Sequence, residues 1–374
     1  MDELISGDTP IDIPQELREA IGKSSGRITL DQQLKRIGVL FKSIPDHIWP
    51  STGELISELD GKTAAIVGGG PSLEATFPSL QALKKSGGIV FAPNKSHDWL
   101  INGKRSTDRK NRWVRKPLIP NYGVLVDPSP HIKDYQTPHQ DVSYLLGAIL
   151  DYQCYLNFLR ANSKVYLWIP TYNEDASDIM MCAEKWPKRS MQFISGGSTV
   201  GLRTIGLAVS MGVEDIHLYG FASAYAPGTK DLYAYKNPYI TTENSNPTNV
   251  AEDDSQLRFE ANHHMAKQAI EFNDFCDRLD YMIINGKPRN VTVTVHGDGP
   301  IPWMAWKNPS ENIRHADPDA MAAKYGEHKY FDYATGLGHV HPLSAGGGDT
   351  PVKLSGDLPD ADKYALPEFS EAVS

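Results

Sequence analysis

Two glycine-rich turns hold the residues best suited to chemistry in this chain. The first is Gly68-Gly69-Gly70-Pro71-Ser72, behind the apolar run Ala64–Val67. The second is Ser195-Gly196-Gly197-Ser198-Thr199, behind Phe193-Ile194. An apolar run, then glycines, then a helix opener describes a backbone loop that can close on an anion. Free N–H groups and the positive end of a helix dipole both point into the gap. In the first turn the amides of Gly69 and Gly70 and the Ser72 hydroxyl are the phosphate candidates, with Gly68 ending the strand. Pro71 suits the first helical position, where its missing N–H costs nothing. The turn lacks the Gly-Lys-Ser/Thr ending of a Walker A loop and the spacing of the dinucleotide fingerprint. In the second turn Ser198 or Thr199 can cap a helix or bind a phosphate or ribose oxygen. Two such turns, about 125 residues apart, predict that both ends of a nucleotide or polyphosphate are held.

Three further positions follow apolar runs. Asn94 closes Phe91-Ala92-Pro93-Asn94 and is a candidate nucleotide or acceptor contact. Asp127 closes Leu125-Val126-Asp127-Pro128, where a carboxylate can hold Mg²⁺ or a ribose hydroxyl, or simply open a turn. His296-Gly297-Asp298-Gly299 offers His296 as a general base and Asp298 as a second Mg²⁺ ligand. Asp127 also counts as a catalytic candidate beside His296.

These residues need strands to position them. Candidate strands are 64–67, 88–91, 123–126, 164–168, 192–194, 215–219 and 291–295. Candidate helices are 72–85, 141–159, 199–211 and 256–284. Short apolar strands alternating with amphipathic helices predict an α/β fold with a Rossmann-like, doubly wound, mostly parallel sheet. In such sheets ligands sit beyond the carboxyl ends of the strands, where both glycine turns fall. Residues 1–60 read as a helical N-terminal extension, with apolar spacing at 14–21 and 30–41. Residues 61–305 form the nucleotide-binding transferase domain, and 306–374 an irregular C-terminal tail rich in Gly, Pro and Asp.

Composition sets the outer limits. The chain has 374 residues, 40% apolar and 22% charged, which suits one large domain with additions. Its net charge of −9 argues against a surface that binds nucleic acid everywhere. No apolar run is long enough for a membrane span, and the first residues lack the parts of a signal peptide. The three cysteines, Cys154, Cys182 and Cys276, have no metal-type spacing and predict reduced thiols in the cytoplasm. For a phage-encoded protein that means the host cytoplasm.

Two segments break the pattern. Residues 104–116 hold seven Lys/Arg and one Asp, a net +6 that leaves −15 on the rest. They are a solvated loop or a landing site for a nucleic-acid acceptor; without that role the acceptor is a small molecule. Residues 221–254 are rich in Tyr, Asn, Pro and Thr, and a loop of that length predicts a lid.

Three stretches together resemble the MptE-like 6-hydroxymethylpterin diphosphokinase family, which includes bacteriophage members: Ile66–Leu73, Ser195–Val200 and Leu207–Gly220. The resemblance spans roughly residues 60–305. It implies Mg²⁺-assisted pyrophosphoryl transfer from ATP to a hydroxymethyl acceptor. The motif order is also similar to bacterial sialyltransferases, where the counterparts of Gly70-Pro71-Ser72, Asn94 and Ser195-Gly196-Gly197 surround a cytidine nucleotide. That similarity implies the alternative, glycosyl transfer from a CMP- or UDP-linked sugar. In both families the strand ending in Leu218-Tyr219-Gly220 runs on to an Asp. Here Ala222 stands in its place, which keeps a third reading, a nucleotide-binding phage protein without catalysis.

Overall fold

The computed structural model describes residues 30–44, 49–106, 112–171, 186, 191–229, 231–235, 248–251, 258–261, 263–279, 283–284, 287–288, 290–325, 329–332 and 337–340. Nine strands form one sheet. In chain order they are β1 Thr63–Val67, β2 Ile89–Pro93, β3 Tyr122–Leu125, β4 Ser143–Gly147, β5 Lys164–Pro170, β6 Phe193–Ile194, β7 Asp215–Tyr219, β8 Thr292–Val295 and β9 Ile313–His315. In space the order is β9-β8-β7-β1-β2-β3-β4-β5-β6, and every pairing is parallel. The chain builds outward from β1 to β6, then returns to the middle at β7 and builds outward the other way. The order therefore reverses between β1 and β7, and in sheets of this kind ligands sit beside that switch point, beyond the carboxyl ends.

A parallel sheet buries both faces, so its strands read as apolar runs rather than alternations. Ala64, Ala65, Ile66 and Val67 of β1 are all fully buried. Helices α2 (Leu73–Lys85) and α3 (Ser96–Asn102) pack Leu73, Phe77, Leu80, Trp99 and Leu100 against Ala65, Val67, Val90 and Ala92 on one face. Helix α5 (Val200–Ser210), with α6 (His263–Leu279) and α7 (Pro300–Lys307), covers the other face. Helices α1 (Leu30–Ser43) and α4 (Tyr152–Arg160) join that larger core.

Some elements differ from the sequence reading. The helix expected over 141–159 is strand β4 followed by α4. Val142 to Leu150 is a nearly unbroken apolar run, and periodicity alone does not separate a buried strand from a buried helix. Asp151 breaks the run: its carboxylate accepts from the Gln153 N–H at 3.0 Å and caps α4. The helix expected over 256–284 is narrower, preceded by a hairpin of 248–251 with 258–261. The boundary at 305 also moves. Ile313–His315 adds a ninth strand to the sheet, and α8 (Pro318–Tyr325) follows it. The helix read at 14–21 lies outside the described residues.

The loop after β7 fixes the switch point. Gly220 has φ 68°, and a Cβ there would stand 2.6 Å from the Gly68 carbonyl oxygen. Gly220→Ala is therefore expected to lower stability by about 2–4 kcal/mol through backbone strain and overlap, read in a denaturant titration against Gly228→Ala. Gly228 also has positive φ, but nothing lies within 4 Å of its Cβ position, so it reports the strain alone.

Candidate functional site

The loop Gly220–Ser223 is where the first glycine turn and the 296–299 cluster meet. The Gly68 N–H donates to the Tyr219 carbonyl at 2.7 Å, and the Gly70 N–H to the Gly220 carbonyl at 2.8 Å. Side chains at Gly68 or Gly70 would strike the Gly220 oxygen at 2.6 and 2.7 Å. From β8, a Cβ on Gly299 would stand 2.3 Å from the Ala222 oxygen, and one on Gly297 would stand 2.6 Å from Ser72 Oγ. From α5, Gly201 approaches the Phe221 ring, 3.0 Å from its Cβ position. The Ser223 hydroxyl donates to Gln268 Oε1 at 2.9 Å, and Gln268 Nε2 donates to Thr199 Oγ1 at 3.5 Å. Both glycine turns and the 296–299 cluster thus converge on one loop.

Among the buried side-chain oxygens that lack a hydrogen-bond partner among the described residues are Ser72 Oγ and Asn94 Oδ1, together with Gln136 Oε1 and the Tyr225 hydroxyl. Ser72 begins α2 without capping it. Asn94 sits in the left-handed region at φ 51°, uncommon for a residue with a side chain. Its backbone is clamped, with its N–H donating to the Val124 carbonyl at 3.0 Å and its carbonyl accepting from Gln136 Nε2 at 3.0 Å. An unsatisfied buried polar atom costs about 1–3 kcal/mol. Ser72 and Asn94 lie just past the ends of adjacent strands β1 and β2.

The first turn is not fully available as the sequence reading had it. The Gly70 amide is spent on Gly220, as the Gly68 amide is on Tyr219. Gly69 differs: its N–H meets no acceptor among the described residues, while its carbonyl accepts from the Ala234 N–H at 2.9 Å. Tyr233 and Tyr235 flank Ala234, stack at 5.3 Å between ring centroids, and cover Gly69. Burial pushes the Tyr233 phenol up to about 12 and that of Tyr235 well above its ordinary value, with the Tyr135 phenol adding to both. Of the expected lid, residues 231–235 lie over the turn; 236–247 fall outside the described residues.

The second turn departs further from the prediction. The Ser198 N–H and hydroxyl both donate to Glu271 Oε2, each at 2.7 Å. A carboxylate from α6 holds the donors that a phosphate was expected to take. Thr199 Oγ1 accepts from the Leu202 N–H at 3.3 Å, so Thr199 is the cap of α5. Gly197, at φ 60° with Leu202 2.6 Å from its Cβ position, is required by the turn itself. Ser195 and Ser198 are exposed, and Gly196 opens onto free space.

The expected Mg²⁺ pair does not form. Asp127 Oδ1 accepts from the Ser129 N–H at 2.8 Å and closes its own turn. Asp298 is engaged by Lys324 and by the Tyr325 hydroxyl. The strand order puts four spacings between them, about 19 Å across the sheet. Among the described residues no three or more His, Cys, Asp or Glu gather as metal ligands. His296 likewise is not placed as a base. Its Nε2 lies 2.8 Å from His217 Nδ1, its ring stacks on Tyr219 at 4.1 Å, and His217 Nε2 lies 3.4 Å from Asp215. Burial, then His217 and His315, push His296 down to about 3, and burial lowers His217. The imidazole is held neutral far below the range where a base works at neutral pH.

Sequence reasoning missed Gln136, Gln268 and Glu271. Each reaches the site from a distant stretch and matches no local pattern.

No family model matches the chain, and no curated protein matches it. A search of solved structures finds likeness to the MAf glycosyltransferase from Magnetospirillum magneticum AMB-1, at 12% identity and a TM-score of 0.40, covering 68% of this chain and 36% of that one. No helix among the described residues is long and apolar enough to cross a membrane.

The histidine pair carries a pH dependence. The folded pKa of His296 lies below its unfolded value near 6.5, so between about 3 and 6.5 the unfolded chain binds more protons. The contribution of His296 to stability is fully present above about 6.5 and is lost as pH drops towards 3, by an amount on the order of a few kcal/mol. His296→Gln should flatten that slope in denaturant titrations across the window; an unchanged slope would contradict it.

Proposed function

We propose that the crevice beyond β1, β2 and β7 binds a nucleotide-linked donor, and that the chain is a transferase of glycosyltransferase type using a nucleotide sugar. The observation that carries this reading is the pair of orphaned oxygens, Ser72 Oγ and Asn94 Oδ1, on neighbouring strand ends beside the switch point. Ser72 would donate to a phosphate oxygen beside the Gly69 N–H, at the start of α2, where the helix dipole favours negative charge. Asn94 would pair with a ribose or base group. Transfer then runs by attack of an acceptor hydroxyl on the anomeric carbon. The bond from that carbon to the phosphate oxygen breaks, the nucleotide leaves with the electron pair, and the hydroxyl proton passes to solvent. The protein's part is to hold the phosphate and stabilise the departing charge.

The resemblance to bacterial sialyltransferases supports this choice, since Ser72 and Asn94 are among the positions it assigns to the nucleotide. The MptE-like reading asks for a metal clamp on a triphosphate. Asp127 and Asp298 are apart and engaged, whereas Ala222 departs from both patterns alike and favours neither. A nucleoside monophosphate leaving group carries less charge and needs no such pair.

Ser72→Ala and Asn94→Ala should each weaken binding of the cognate nucleotide roughly 10- to 100-fold. Thermal stability should be unchanged or slightly raised, because an unsatisfied buried group is removed. Calorimetry with CMP, UDP and ATP, followed by assays for free nucleotide released from each nucleotide sugar, tests both parts. Preferred ATP binding with AMP release would favour pyrophosphoryl transfer. Binding without turnover would leave a non-catalytic nucleotide binder.

A further inference from the structure

The basic insert forms a two-stranded hairpin, Lys104–Arg105 against Trp113–Arg115, closed further by the Ser106 N–H donating to the Arg112 carbonyl at 2.7 Å. Its root is rigid. Arg115, 6% exposed, lays its guanidinium 3.4 Å over the Trp99 ring and donates to the Trp99 and Gly103 carbonyls. Arg115 is therefore a structural anchor and not one of the landing-site cations. The other described residues of its two strands and their flanks are mostly exposed. Lys104, Arg105, Arg112 and Lys116 are exposed, as are Trp113 at 39% and Val114 at 61%. The Arg105 guanidinium lies 4.0 Å over the Trp113 ring. Lys104 reaches Glu74 at 3.5 Å in the first turn of α2, two residues beyond Ser72, which places the hairpin at the rim of the candidate site. Arg109 and Lys110 lie outside the described residues.

We infer that this hairpin is a docking arm for single-stranded nucleic acid. Cations that track a phosphate backbone beside an exposed aromatic ring are the elements such binding uses, with unpaired bases stacking on the ring. A duplex offers Trp113 no free base face. A membrane anchor would need more apolar surface than Trp113 and Val114 among four cations. The −15 carried elsewhere repels a polyanion and confines it to the arm. The strand held there is the acceptor for the transfer proposed above, and in that role alone the inference rests on that reading; the binding itself does not.

The test is fluorescence anisotropy of the full chain with labelled oligothymidylate, without donor, from about 50 mM salt upward. Four cations predict a log K against log salt slope of about −3. The duplex and phosphatidylserine vesicles should bind more weakly. Trp113→Ala should lose roughly tenfold or more by removing a stacking platform. Lys116→Glu, an exposed change outside the paired strands, is the second variant and should weaken binding and shorten the slope. Both should leave mononucleotide affinity unchanged. No binding at low salt, tighter binding to duplex or vesicles, or indifference to both variants would overturn the arm. The mononucleotide measurement stands or falls separately, so either proposal can fail alone.

Discussion

The close approach of two backbones at the switch point is the constraint on which the rest depends. Gly68 and Gly70 from one side and Gly220 from the other come so near that none tolerates a side chain. Two N–H···O bonds, at 2.7 and 2.8 Å, lock the approach. That contact sets where β1 ends, where α2 begins, and how the loop after β7 turns towards α5 and β8. It also redefines the glycines. Two of the three serve packing in the first turn, and only the Gly69 N–H meets no acceptor among the described residues.

What remains for a ligand is narrow and specific. Ser72 and Asn94 present oxygens that the fold leaves unsatisfied, and Asn94 does so from a strained backbone held on both sides. Features of that kind cost stability and persist where the surroundings over-determine them. The second turn, by contrast, is satisfied from within, because Glu271 takes both donors of Ser198. The crevice is therefore asymmetric: a hydroxyl and an amide at β1 and β2, a closed carboxylate contact at α5, and a stacked tyrosine pair above Gly69.

Much of this was legible in the sequence. Parallel strands buried on both faces appear as apolar runs, so β1 and β7 fall where the runs fall. The placement of Ser72 and Asn94 follows too, because a polar residue just past such a run falls beyond a strand's carboxyl end. The run Val142–Leu150 misled, since its burial on both faces erases the periodicity that separates strand from helix. Asp127 and Asp298 misled for another reason. A carboxylate at a strand end looks the same whether it awaits a ligand or closes a turn, and only the fold supplies Ser129, Lys324 and Tyr325 as partners. The contacts of Glu271, Gln136 and Gln268 depend on long-range packing that leaves no local signal.

The most direct test of the central claim is a crystal structure of the protein with a bound nucleotide. The account predicts a phosphate oxygen within hydrogen-bond distance of Ser72 Oγ, with Asn94 Oδ1 partnered by the ribose or base. A nucleotide seated elsewhere, with both oxygens still unpartnered, would contradict it.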